Sequence, residues 1–386
     1  MNTSSILARI ALAAAALAAA TPIVAAKDST QSTRRRSVVQ LALLLDTSNS
    51  MDGLIDQART RLWQVVNDLA TAKHAGLRPR LEVALYEYGN DGLSAEGNYI
   101  REVAAFTDDL DVLSEKLFAL RTNGGSEYCG AVIERALQRL AWSDRADDLK
   151  LVFIAGNEPF DQGPVDFRRS VRAAAARGVT IDTIFCGPEA EGISTHWKDG
   201  AVLADGTFAC IDQNQREPQI DAPQDREIAE LNASLNSTYL AYGAKGRERA
   251  EMQLRQDANA AAAAPTVAAQ RAATKAGALY SNGSWDLVDA VREGSVDVGQ
   301  LKDEELPAEL RDLPKDERQA KIDAMAAERK TIQEEIQKLA AARDAYVAAE
   351  RQKLAAASGN NASALDDAIR HSVRAQAEKL NYEFEK

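Results

Sequence analysis

The chain has 386 residues, of which 45% are hydrophobic and only 5% aromatic, with a formal net charge of −12. That length suits about two domains, and heavy alanine use with few aromatic residues favours slender helices over a thick core. The acidic balance argues against non-specific attraction to nucleic acid or anionic lipid, and the three cysteines fit no zinc-ligand spacing.

In chain order, residues 1–26 read as a secretory signal peptide. Arg9 is the sole charge, an alanine-rich apolar run covers 10–20, and Val24-Ala25-Ala26 offers small residues for cleavage after Ala26. No later run has the ~20 apolar residues that cross a bilayer, so the mature chain is expected in the periplasm or outside the cell, with no membrane span. Residues 27–37 form a polar linker carrying Arg34-Arg35-Arg36.

Residues 38–45 (VVQLALLL) are apolar and stop abruptly at Asp46, the pattern of a parallel strand buried on both faces. Helical spacing follows over 53–75 through Leu54, Ala58, Leu62, Val65, Val66 and Leu69. Further strands are expected at 81–88, 100–106, 149–155, 179–186 and 208–211, and helices at 110–120, 130–140, 167–176 and 227–242. This alternation predicts an α/β domain over 38–242 with a doubly wound, mainly parallel sheet. An alanine-rich helical linker region is expected over 243–315, with Pro265 breaking it, and a helical, coiled-coil-like tail over 316–386. Between 316 and 354, Ile322, Met325, Ile332, Ile336, Leu339 and Tyr346 keep a heptad seam that Arg329, Arg343 and Glu350 interrupt. Charges in a seam weaken association, so this helix is expected not to dimerise tightly alone, and to pack on the rest of its own tail or stay solvated.

The chemistry-bearing segment is Asp46-Thr47-Ser48-Asn49-Ser50, an Asp-x-Ser-x-Ser triplet directly after a buried strand. In open parallel sheets ligands bind outside the carboxyl ends of strands. A carboxylate with two hydroxyls there is a hard oxygen set suited to Mg²⁺. The same residue types equally fold a turn or cap the next helix, and the motif alone leaves both readings open.

The segment LALLLDTSNSMDGLIDQA resembles the first strand, metal loop and first helix of a von Willebrand factor A (vWA) domain, of the exported bacterial kind with a helical C-terminal extension. Gly124-Gly125-Ser126 stands where that family has Gly-Gly-Thr, and Gly156-Asn157 where it has an Asp-Gly pair. The resemblance implies a Rossmann-like sheet ordered 3-2-1-4-5-6, and weak binding of Mg²⁺ or another divalent cation by Asp46, Ser48, Ser50 and Ser126. It also implies that a carboxylate of a protein partner completes the metal shell. Because Gly156 replaces the family's aspartate, Asn157, Glu158 and Glu127 are candidates to compensate.

No phosphate loop, nucleophile elbow or Cys/His pair is present, and His74, His196 and His371 are scattered, so no enzyme is expected. The reading is an exported binding module for an envelope or extracellular protein. The alternative is a metal-independent structural or assembly protein whose helical tail makes the contacts. Cys186 ends a strand and Cys129 opens a helix at the same sheet edge, so a Cys129–Cys186 disulfide is expected, with Cys210 a buried thiol.

Overall fold

The computed structural model describes residues 35–212, 220–358 and 365–385. The signal peptide expectation therefore lies outside the described residues, as does most of the basic linker. Residues Arg36–Lys386 form one compact unit.

Strand β1 (Val38–Asp46) is buried almost throughout because it serves two cores. Val39, Leu41, Leu43 and Leu45 face one of them, while Ala42 and Leu44 face the other. Successive strand side chains point to opposite faces, so a strand at the centre of a sheet covered on both sides is apolar almost throughout, and its one polar side chain inside the run, Gln40, is satisfied by Glu82 and Ala141 O. Helix α1 (Asp52–Leu69) covers the first face with Leu54, Ile55, Leu62 and Val66. After it come β2 (Ala72–His74), β3 (Arg80–Tyr88), β4 (Ile100–Thr107), α2 (Leu110–Ala119), α3 (Cys129–Arg139), β5 (Leu149–Gly156), α4 (Phe167–Ala176) and β6 (Thr180–Cys186). Short helices α5 (Glu189–Ser194) and α6 (Trp197–Val202) lead to β7 (Phe208–Ile211). Helices α3 and α4 cover the second face.

The six-stranded sheet runs β4-β3-β1-β5-β6-β7. Counting only its own strands, this is the order 3-2-1-4-5-6. All neighbours are parallel except the edge pair β3–β4. The register places Asp46 opposite Tyr88, and Leu45 opposite Ala155.

The remaining elements are α7 (Asp225–Asn236), α8 (Gly246–Ala263), α9 (Pro265–Lys275), α10 (Leu287–Arg292), α11 (Ala308–Arg311), α12 (Lys315–Ser358), α13 (Leu365–Lys379) and β8 (Tyr382–Phe384). Pro265 ends α8 and occupies the first turn of α9, where its missing N–H costs nothing. Two of the sequence expectations run too long. The first helix stops at Leu69 because Ala72–His74 pairs antiparallel with β8, and His74 stacks on Tyr382 with ring centroids 4.5 Å apart. The helix expected to Tyr242 ends at Asn236, and Ala241 bridges to Asp286 instead.

Ala260, Val267, Ile369, Val373 and Tyr382 contribute to the same core as α1 and β1. The arginines that interrupt the heptad seam are buried, Arg329 against Asp286 and Asp289 and Arg343 against Asp225. A peptide of residues 315–358 lacks these aspartates. It is therefore expected to sediment as a monomer at micromolar concentration, because self-association would bury both arginines without a counter-charge.

The expected Cys129–Cys186 disulfide is not formed, and all three cysteines are free thiols. Cys129 packs in the core beneath α3 and α4, whereas Cys186 belongs to the core beneath α1. The sheet lies between them, and a bridge needs Cα atoms within about 7 Å with converging Cβ vectors. Cys210 is half-buried.

Candidate functional site at the carboxyl end of β1

The loop after β1 is fastened from two sides. Thr47 N–H donates to Tyr88 O at 2.9 Å, and Asn123 N–H donates to Thr47 O at 3.0 Å. Asn90 Nδ2 bridges the same loops, donating to Arg121 O at 2.9 Å. Gly125 allows the closest approach: a Cβ there would overlap the carbonyl oxygen of Gly89. The segment 123–127 is thereby held against the ends of β1 and β3.

Within this frame Asp46 is fully buried, and its Oδ1 accepts from Ser48 N–H at 2.8 Å. Asp46 Oδ2 is buried with no hydrogen-bond partner. Ser48 Oγ and Ser50 Oγ are 3.2 Å apart, and Ser50 Oγ donates to Asn157 Oδ1 at 3.4 Å. Asn49 and Ser50 are exposed, so the site opens to solvent on their side. Ser126 lies in the adjoining loop, half-buried, without a hydrogen bond to Asp46, Ser48 or Ser50 among the described residues.

The residue that turns inward is Glu127, which is 4% exposed. Its Oε2 is also buried without a partner. A Cβ on Gly89 would meet Glu127 Cγ at 2.5 Å and Asp46 Oδ1 at 2.9 Å, which places the two side chains side by side. Burial pushes both carboxyls up, and the like charge of Asp46 pushes Glu127 further. Glu158 adds to the repulsion on each. All three candidate compensators, Asn157, Glu158 and Glu127, thus gather here, and Glu127 directly abuts Asp46. Its signal in the sequence was adjacency to Gly124-Gly125-Ser126 alone, since loop side chains follow no periodicity.

Position 156 has no space for the aspartate that the resemblance would put there. A Cβ on Gly156 would lie 2.5 Å from Tyr88 Oη and 3.1 Å from Asp46 Oδ2. Tyr88, which the sequence reading overlooked, fills that space and donates to Ala155 O at 3.0 Å. Gly156→Asp is therefore expected to lose about 1–3 kcal/mol to overpacking rather than to build a better site. Denaturant midpoints would show it, and an unchanged midpoint with tighter cation binding would contradict it.

No group of three or more His, Cys, Asp and Glu residues able to hold a metal occurs among the described residues. A cation here would rest on two carboxylates plus hydroxyls. The donor set fits one: all ligands are hard oxygens, two carboxylate oxygens are orphaned, and the serine hydroxyls match the separation of about 3.0 Å between adjacent ligands of an octahedron with bonds of about 2.1 Å.

No family model and no curated protein matches the sequence. Among solved structures, the chain is similar to BatB from Bacteroides thetaiotaomicron (13% identity, 45% of this chain and 90% of that one, TM-score 0.35). It is also similar to the vWF domain of the type V pili tip protein Mfa5 from Porphyromonas gingivalis (13% identity, 45% and 90%, TM-score 0.34). A third is proximal thread matrix protein 1 from the mussel byssus with a zinc-occupied MIDAS motif (13% identity, 45% and 42%, TM-score 0.33). The chain thus spans less than half the length of that mussel protein. By its strand order, its single antiparallel edge strand and the Asp-x-Ser-x-Ser loop at the carboxyl end of the first strand, the sheet of this chain has the von Willebrand factor A fold.

Proposed function

We propose that this chain is an exported protein-binding module that holds a divalent cation, Mg²⁺ by preference, at the carboxyl end of β1. Asp46, Ser48 and Ser50 would bind it, with Ser126 in the adjoining loop and Glu127 supplying the second carboxylate. The observation that carries this reading is the pair of buried carboxylates, each with an oxygen that has no hydrogen-bond partner. Such a pair is unfavourable without a proton or a cation between its members. When bound, the cation supplies positive charge and open coordination positions. The chain itself holds the two carboxylates together and leaves the Asn49–Ser50 side exposed to an Asp or Glu of an envelope or extracellular partner. Cation and partner would then strengthen each other by the same factor.

Thermal melts and calorimetry with Mg²⁺ test the reading. At a hundredfold excess over its dissociation constant, Mg²⁺ is expected to stabilise the wild type by about 2.7 kcal/mol. Asp46→Ala and Glu127→Gln are expected to lose that response. Glu127→Gln should also be the more stable protein in chelator, because the like-charge pair is relieved. If Asp46→Ala responds to Mg²⁺ as the wild type does, the cation reading fails. The metal-independent assembly protein then takes its place.

A further inference from the structure

The carboxyl edge of the sheet, where the Asp46 loop opens, is strongly acidic. The segments that leave it, 47–52, 89–99, 120–128, 157–166 and 187–199, hold ten Asp and Glu residues against two permanent cations, Arg121 and Lys198. Arg121 Nη1 turns to backbone, donating to Leu120 O at 2.7 Å and to Phe118 O at 3.0 Å. Helices that start at this edge explain part of the excess, because their amino ends favour negative charge. Asp52 lies in the first turn of α1, Asp166 caps α4, and Glu189 and Glu191 lie in the first turn of α5. Asp91 and Glu158 lie on loops and start no helix.

These two flank the mouth of the site. A Cβ on Gly124 would lie 3.4 Å from both Asp91 Oδ2 and Asn49 Nδ2, so Asp91 sits beside the open Asn49–Ser50 side. Glu158 is close enough to repel both Asp46 and Glu127. Neither Asp91 nor Glu158 has an ion-pair partner among the described residues. At the centre, Asp46 Oδ2 and Glu127 Oε2 are buried without a hydrogen-bond partner. A divalent cation would balance that central pair and leave Asp91 and Glu158 uncompensated. An Asp or Glu of a partner would then approach the cation through a negative field, and like charges brought together across an interface are disfavoured.

Given the cation reading of the Asp46 loop, on which this rests, we propose that the protein partner meets this edge with a basic surface, its lysines or arginines surrounding the carboxylate that reaches the cation. Arg36, the last residue of the chain's own basic run, cannot supply those charges. Its Nε donates to Arg78 O at 2.8 Å, at the amino end of β1. The nine residues of β1, at about 3.3 Å each, set that end about 30 Å from the site. Facing charges of opposite sign also steer encounter, so association is faster at low salt.

The test is calorimetry of short synthetic peptides with the full chain in Mg²⁺, at low and at physiological salt. One peptide has a central glutamate flanked by lysines, a second has glutamine at its centre, and a third has glutamates in place of the lysines. The first is expected to bind at least about tenfold more tightly than the third, with the difference shrinking as salt rises. Asp91→Lys and Glu189→Lys are each expected to weaken its binding about threefold or more. Glu328→Lys, exposed on α12, changes the net charge equally and is expected to leave binding unchanged. The proposal is overturned if the lysine peptide does not bind saturably or binds no more tightly than the all-glutamate one. It is also overturned if Asp91→Lys and Glu189→Lys weaken binding no more than Glu328→Lys does. Failure of the cation reading shows separately, as lysine-peptide affinity that changes neither on chelating Mg²⁺ nor with glutamine at the centre; the edge then docks a basic surface without the cation.

Discussion

Replacing Arg329 with alanine is expected to destabilise the protein by about 3–5 kcal/mol, the cost of leaving buried charges without their partner. Arg329 is 2% exposed, Asp286 0% and Asp289 5%. Its Nη1 donates to Asp286 Oδ2 at 2.6 Å and to Asp289 Oδ1 at 3.0 Å, and its Nε donates to Thr238 Oγ1 at 3.0 Å. The guanidinium also lies over the Tyr239 ring, 4.1 Å from its centroid. Asp286 is meanwhile the N-cap of α10, accepting from Asp289 N–H at 2.9 Å, and it accepts from Leu240 N–H at 2.7 Å. Losing the arginine strands the Asp286 carboxylate in a site shaped around it, while Asp289 keeps Arg292 at 2.9 Å. Arg329→Met should cost nearly as much, because the charges and not the volume are at issue. Asp286→Asn placed on that background should recover part of the loss, a coupling that a double-mutant cycle reads directly. Burial already raises Asp286, with Arg329 opposing. Without Arg329 the carboxyl rises further, and a raised carboxyl stabilises at low pH and ceases to as pH rises. The variant should therefore deviate least from wild type in acid. A denaturant midpoint within about 1 kcal/mol of wild type at neutral pH would refute this account.

Asp257→Asn is expected to be of similar size, about 3–5 kcal/mol at neutral pH. Asp257 Oδ1 is 2.5 Å from Arg271 Nε and Oδ2 is 2.8 Å from Lys275 Nζ, with Asn236 Nδ2 donating at 2.8 Å. Arg271 continues to Asp111 on α2 at 2.8 Å, so the cluster stitches α8 and α9 to the sheet domain. Burial would raise the Asp257 carboxyl, but Lys275 and Arg271 outweigh it and hold it down to about 2. A depressed carboxyl contributes fully above its unfolded value of about 3.9 and loses that contribution as pH falls toward 2. The wild type should accordingly weaken in that acid window, and Asp257→Asn should weaken less there. Lys275 behaves oppositely. Burial pushes its ammonium down to about 8 despite Asp257, so the unfolded chain holds the proton more firmly. Stability is then expected to rise with pH from about 8 upward until the unfolded lysine also titrates, near about 10.4. In Asp257→Asn the rise should begin at lower pH. Urea unfolding from pH 2 to 10 measures both limbs, and identical profiles for the two proteins would sink the assignment.

These two clusters explain how an alanine-rich, aromatic-poor segment packs firmly. Alanine buries little apolar area, so its helices gain little from the hydrophobic effect alone. Arg271 and Lys275 on α9, and Arg329 and Arg343 on α12, fix those helices to acidic partners instead.

The sheet was legible in the residues because burial leaves a local trace. The largely apolar runs at 38–45 and 149–155 read as buried strands, and they are β1 and β5 of the folded chain. The Asp-x-Ser-x-Ser loop was legible for the same reason: it sits directly after the first of those runs. The long tail helix was legible from its spacing, and α12 covers it. Pairings between distant positions leave no such trace. Nothing near Arg329 or Arg343 announces an aspartate some forty or more residues away, so in isolation they read as flaws in a seam, where the fold makes them its fastenings. The three-residue pairing of β2 with β8 joins the first helix to the end of the described chain, beyond any local pattern. The cysteines depended on which face of the sheet each side chain packs on: strand parity turns Cys186 into the core beneath α1, while Cys129 sits on α3, which covers the opposite face. Glu127 lies against Asp46 because the loop is pinned against Gly89, and Tyr88 fills the space at Gly156 because the register sets it opposite Asp46. Burial along one element follows a period that a sequence carries openly. Which side chains meet across elements follows from register and close approach, which exist only once the chain has folded.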